Sequence, residues 1–264
     1  VSRSSLVSDQ DLVLEPPADA GAGFAARHEA LARGYGVADD PADPAAVLAM
    51  PIVLHLPKQD PPRRSAVLEA AAAATVALCL DERVGADGPW NEAFEAWTAA
   101  RIRKIARRAR GSHWHAANDV PGVTADVDGA QARALVPGPV GELDPRIKRL
   151  QIGGTELEHD DPGQPAAGLP VLWINPTLNM TLGKAAAQVG HAAMLLVGAL
   201  TEEEARDWAA ERYRSAVREA TPVQWIALQQ LVGRGLAVAV RDAGFTEVAP
   251  GSMTVIAVPD IGLE

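Results

Sequence analysis

PVLWINPTLNMTLGKAAAQVGHAAMLLVGAL, residues 170–200, opens with an apolar run between prolines and continues into an alanine-rich stretch. The run Pro170–Asn175 suits a buried strand, and Gly183–Leu200 suits an apolar helix. The same pattern occurs earlier in the chain. PIVLHLP at 51–57 lies on PVLWINP at 170–176, and both runs continue without a gap into alanine-rich helices, the first over Arg64–Leu80. A second alignment places Gly111, Ala117, Gly122, Thr124, Gly129, Val136 and Pro137 on Gly233, Ala239, Gly244, Thr246, Gly251, Val258 and Pro259. Matched glycines and prolines mark matched backbone turns.

The expected fold is therefore α/β: a small mixed β-sheet flanked by helices, duplicated as an intramolecular pseudo-dimer. Residues 1–48, rich in Ala, Asp, Gly and Pro with one short helical pattern around Gly23–Arg33, are read as a partly disordered extension. Residues 49–140 form the first copy, 141–168 a Pro/Gly/Asp-rich linker, and 169–264 the second copy. Within the first copy a helix is expected over Glu92–Arg110 and a strand over Ala130–Val136. In the second, Thr201 precedes three glutamates and Thr221 precedes a proline, which are two helix openings. Strands are expected within Tyr213–Ala220, Leu236–Val240 and Met253–Val258.

The length of 264 residues suits two modest cores. The alanine-rich runs fall short of the roughly 18–20 apolar residues that cross a bilayer, so no membrane partner is expected. Val1–Pro17 lacks the basic, apolar, small-residue order of a secretory signal, and a cytoplasmic location is expected. The lone Cys79, in an apolar helical stretch, reads as a buried thiol. A net charge of −10 argues against a nonspecific nucleic-acid coat and against DNA as a partner. One stretch departs from that balance: Arg101, Arg103, Lys104, Arg107, Arg108 and Arg110 occur with no acid between them. It reads either as a solvated face or as a phosphate-contacting one, with Arg107 and Arg108 as candidate contacts.

The two copies differ in their polar residues. Lys184, Gln188 and His191 are spaced by four and three, which puts them on one face of a helix. Opposite them the first copy has Ser65, Glu69 and Ala72. Gly183 and Lys184 lie in the first turn, where free N–H groups and the helix dipole favour an anion. Asp242 ends an apolar strand before Ala243-Gly244, a common place for ligand contacts in α/β sheets, and Thr246 and Ser252 follow it. A surface lysine, a core histidine and a turn aspartate remain the plain alternatives.

GKAAAQVGHAA and RDAGFTEVAPGSMTV together resemble the two motifs of the type-2 peptidyl-tRNA hydrolases. The resemblance covers about residues 170–260. It implies hydrolysis of the ester joining a peptide to the 3′ ribose of tRNA, with peptidyl-tRNA as substrate and neither a metal nor another cofactor. Carried onto this sequence, Lys184, Asp242 and Thr246 would be catalytic, while Gly183, Gln188, His191 and Ser252 would line or support the site. Phe245 and Glu247 stand where the family usually has a basic or polar and a neutral polar residue. Two other readings stay open: a noncatalytic tRNA- or small-anion-binding module that keeps the fold, and a hydrolase of a small acylated substrate. The association state is expected to be a monomeric pseudo-dimer or a homodimer.

Overall fold

The computed structural model describes residues 22–36, 38–154, 156–242 and 251–259. The first half runs α1 (Ala22–Ala32), β1 (Leu48–His55), α2 (Arg64–Cys79), α3 (Asn91–Ala99), β2 (Arg103–Ala109), α4 (Ser112–Asn118), β3 (Gly122–Val127), β4 (Ala130–Leu135), β5 (Gly138–Pro139) and α5 (Pro145–Lys148). The second half runs β6 (Val171–Ile174), α6 (Leu182–Ala199), α7 (Glu202–Ala210), β7 (Ala216–Glu219), α8 (Pro222–Gly233), β8 (Val238–Arg241) and β9 (Met253–Val258).

Two mixed sheets result. The first has the order β2-β1-β4-β3, with β5 paired to the start of β1, and the second has the order β7-β6-β9-β8. The senses agree position by position. β1 pairs parallel with β2 and antiparallel with β4, and β6 pairs parallel with β7 and antiparallel with β9. The outer strands β3 and β8 are both antiparallel to their neighbours.

The central strands are apolar because both their faces are covered. Met50, Ile52 and Leu54 of β1 join the main core, whereas Val53 packs with Trp114, Ala117, Ile147 and Leu150 under α4 and α5. In the second sheet Leu172 and Ile174 face the main core, while Trp173 packs with Trp225, Leu228 and Ile256 under α8. Helices α2 and α6 share that main core. Each packs on its own sheet and reaches the parallel edge strand of the other, α2 on β7 and α6 on β2.

This arrangement explains the alanine content. Every residue of α2 except Glu69 is buried, as expected for a helix with neighbours all round. Alanine and glycine let the two helix backbones come close. A side chain at Gly190 would place its first carbon 2.7 Å from Thr75 Oγ1. Glu69 spans the halves, accepting from Val217 N at 3.0 Å and from Arg218 Nη1 at 3.0 Å. The short pattern at Gly23–Arg33 is α1, which inserts Phe24 and Leu31 into the same core and sets His28 against the Val197 carbonyl at 2.9 Å.

The helix expected over Glu92–Arg110 is corrected: it stops at Ala99, and the basic run is strand β2. Arginine, lysine and alanine favour a helix locally, but the edge of β1 offers seven paired positions, from Ala49↔Arg103 to His55↔Ala109. Ile102, at φ 42°, turns the chain out of the helix, and Trp97 Nε1 donates to the Arg103 carbonyl at 3.0 Å. The pairing of Ala117 with Ala239 also fails, since Ala117 belongs to helix α4 and Ala239 to strand β8. Residues 141–168, expected as a linker, include the short helix α5. The helix openings at Thr201 and Thr221 are full capping boxes with Glu204 and Gln224. Among the described residues no helix is long and apolar enough to cross a membrane.

Candidate active site

Helix α6 starts at Thr181, whose hydroxyl accepts from Lys184 N at 3.2 Å. Capping there fixes the first turn and with it the direction of the Lys184 side chain. One and two turns further on, Gln188 and His191 follow on the same face, as their spacing predicts. Strand β8 delivers Asp242 to this face. Its backbone is held by Ser252, whose carbonyl accepts from Asp242 N at 2.9 Å, and by Gly251, which donates to the Asp242 carbonyl at 2.7 Å. Gly251 has φ 79°, a conformation that suits glycine.

The Asp242 carboxylate meets two donors at one oxygen. Lys184 Nζ lies 2.5 Å and Gln188 Nε2 2.7 Å from Oδ2. The Gln188 carbonyl in turn accepts from Thr254 Oγ1 at 2.7 Å, which sets the amide's orientation. Thr254 is fully buried and Asp242 is 8% exposed, so the group is held in a poorly hydrated environment where its geometry is costly to disturb. Thr254 was not singled out from the sequence. Its only sequence signal is a polar residue within the apolar strand MTVIAV.

Beside this group opens a cavity of about 810 Å³. Gly183, Lys184, Gln188, His191 and Asp242 line one side, and Arg101, Ile102, Arg103 and Lys104 line another. The cavity is thus shared between the halves, with α6 and β8 facing the basic strand β2. Of this basic wall, Arg103 is ion-paired with Asp40, and Arg101 bonds the Ala38 carbonyl at 3.2 Å and Asp39 at 3.3 Å.

Lys104, read from the sequence only as part of the basic run, is enclosed rather than solvated. It is 8% exposed, and its Nζ lies 3.2 Å from His191 Nδ1 and 4.8 Å above the Trp97 ring. Burial lowers its pKa to about 7. His191 is held well below its ordinary value by burial, then by Lys104 and Lys184, and is therefore neutral.

Arg107 and Arg108 are not brought into the cavity lining. Arg107 Nη1 donates to the carbonyls of Leu150 at 2.8 Å and Lys148 at 3.3 Å, and Arg108 bonds Gln151. Ser252 contributes its backbone. Thr246, with Phe245 and Glu247, lies outside the described residues. Among the described residues no three potential ligating side chains converge on a metal position.

The first turn of α2 shows what the same position does in the other half. There the Asp160 carboxylate accepts from Ser65 N at 2.9 Å and from Ser65 Oγ at 2.5 Å. An internal anion thus occupies the start of α2, while Gly183 and Lys184 in the first turn of α6 face the cavity. The arrangement as a whole offers a proton-accepting carboxylate, an ammonium and the start of a helix around one space, which is the equipment for stabilising an oxyanion beside an activated water. No curated protein matches the chain. Residues 170–260, which carry Lys184, Gln188, His191, Asp242 and Thr254, match the model of the family Peptidyl-tRNA hydrolase PTH2, so the resemblance of the two motifs is a family match over the carboxy-terminal third.

Proposed function

We propose that the chain is a hydrolase that cleaves the ester between a peptide, or an N-acyl-aminoacyl group, and the 3′ end of tRNA, releasing tRNA for reuse. The observation that carries this reading is the Asp242 carboxylate held between Lys184 Nζ and Gln188 Nε2 on the cavity wall, inside the matched segment. Asp242 orients and deprotonates a water, because no serine or cysteine lines the cavity as a nucleophile among the described residues. Lys184 and the first-turn N–H groups of α6 stabilise the oxyanion of the tetrahedral intermediate. Gln188, locked by Thr254, keeps Asp242 aimed. Thr246 is assigned a catalytic role by the family motif.

In this reading residues 49–140 are a degenerate copy, with 141–168 as the linker and 169–264 as the catalytic domain. The identical strand order and senses of the two sheets support the duplication. The degenerate copy has kept its scaffold and gives the site a basic wall. Arg101 and Arg103 then make phosphate contacts, which supply sequence-independent affinity for tRNA. Release of labelled peptide from a defined peptidyl-tRNA by the purified protein tests the activity. Tight tRNA binding with no release would instead favour the noncatalytic module, a reading supported by the neutralisation of Arg101 and Arg103 by Asp39 and Asp40.

The wall itself has a separate test. Arg103→Glu is expected to weaken tRNA binding and to reduce the slope of log affinity against log salt by about 1. Arg107→Glu, measured alongside, reports on the outer part of β2. A larger loss for Arg107→Glu than for Arg103→Glu would place the RNA along Arg107 and Arg108, outside the cavity.

A further inference from the structure

The cavity holds two lysines in opposite circumstances. Lys184 meets a carboxylate, whereas Lys104 has none within ion-pair range among the described residues. The Lys104 ammonium is instead surrounded by soft partners: the Ile102 carbonyl at 3.4 Å, Met194 Sδ at 3.6 Å and the Trp97 ring. The one well-placed acceptor is His191 Nδ1, at 3.2 Å. The other ring nitrogen, Nε2, has no hydrogen-bond partner among the described residues and is not sealed from solvent, so it opens on the cavity that His191 lines.

We propose that Lys104, supplied by the amino-terminal sheet, is a positioning residue that holds His191 as its Nε2–H tautomer, so that the imidazole presents a hydrogen-bond donor to an oxygen of the substrate ester. The proposal rests on the hydrolase reading for the identity of the substrate, but the tautomer does not. An ammonium can only donate, so a neutral imidazole beside it must accept at Nδ1 and carry its proton on Nε2. Because β2 is tied in place by its pairing with β1 and by Trp97, the lysine reaches His191 from a rigid element. The amino-terminal half would thereby complete the site it no longer carries itself.

A pH dependence follows. The groups facing Lys104 are His191 and Met194 of α6, Trp97 of α3 and, at longer range, Cys79 of α2, whose thiol is pushed up to about 12 and stays neutral. Lys184 acts on His191 from the same helix. None supplies a negative charge. As pH rises through about 7, Lys104 becomes an amine that can accept as well as donate. The Nδ1–H form then becomes accessible, and the population of the Nε2–H donor falls.

Long-range proton–nitrogen correlation spectra of the imidazoles test this in nitrogen-15-labelled protein, with the His191 signal assigned by its loss in His191→Gln. The expected result is the Nε2–H form at about pH 6, shifting towards a mixture as Lys104 titrates. Lys104→Met should give a mixture with no such transition. Lys104→Arg should restore the Nε2–H form. The matching kinetic expectation is a fall in kcat of about tenfold for Lys104→Met with KM little changed, and recovery in Lys104→Arg. An Nδ1–H form in the parental protein at about pH 6, or the same tautomer in Lys104→Met as in the parent, would overturn the proposal. Should Lys104→Met not fold, the titration of the parental protein decides alone. Failure of the parent to cleave peptidyl-tRNA would refute the hydrolase reading and leave the tautomer result to stand or fall separately.

Discussion

Lys184→Ala is expected to lower the rate of peptidyl-tRNA cleavage by about 10²- to 10³-fold, the usual effect of deleting one donor to a developing oxyanion. The structure gives two reasons for an effect at the upper end. The substitution removes the ammonium that lines the cavity, and it takes from Asp242 Oδ2 a partner that holds the carboxylate in place beside Gln188 Nε2. The loss should fall on kcat more than on KM, because the substrate oxyanion that Lys184 stabilises develops only on the way to the tetrahedral intermediate. Single-turnover cleavage of a defined peptidyl-tRNA measures it. A Lys184→Ala protein as fast as the parent would remove Lys184 from the mechanism, and with it the parallel drawn from the motif.

Gly190→Leu is expected to destabilise the fold by about 3 kcal/mol, near the upper end of the range for overpacking a well-filled core. The first added carbon meets Thr75 Oγ1 at 2.7 Å. Thr75 cannot easily move aside. It is fully buried and β-branched, and its hydroxyl is bonded to the Ala71 carbonyl at 2.8 Å. The helices must therefore separate, against a gain in helix propensity of at most about 1 kcal/mol. For a chain of this size each kcal/mol lowers Tm by about 2–4 °C, so thermal unfolding should show a fall of several degrees. Gly233→Ala is the control. It lies at the end of α8 with nothing within 4 Å of an added carbon, and its Tm should hold or rise. Because α6 carries one wall of the cavity and packs on β2, which carries the other, Gly190→Leu should also reduce cleavage at temperatures where the variant remains folded. An unchanged Tm would mean that α2 and α6 do not pack as closely as described.

Much of the carboxy-terminal half was legible residue by residue. The strand at Pro170–Asn175, the helix of Lys184, both threonine-capped helices and the strand Met253–Val258 all follow from local rules of periodicity and capping, and the structure agrees with them. The face shared by Lys184, Gln188 and His191 was equally local, being a matter of helical spacing. The basic run was not. Its helix-favouring composition was overridden by the open edge of β1, and the alternation of a strand encloses Lys104 while Arg103 beside it stays partly exposed at Asp40. Thr254 was passed over for a similar reason, since one hydroxyl in an apolar strand has meaning only when Gln188 stands opposite it.

By itself, the sequence determined the motif pair, the family to which residues 170–260 are matched and the polar face of α6, because each depends on the order and spacing of neighbouring residues. Only the tertiary structure decided that Asp242 reaches Lys184 and Gln188, that Thr254 locks Gln188, and that a strand from the other half brings Lys104 to His191. These contacts join residues 58, 54, 66 and 87 positions apart. Spacing along a chain carries no information about them until two helices of small residues pack closely enough to bring both sheets around one cavity.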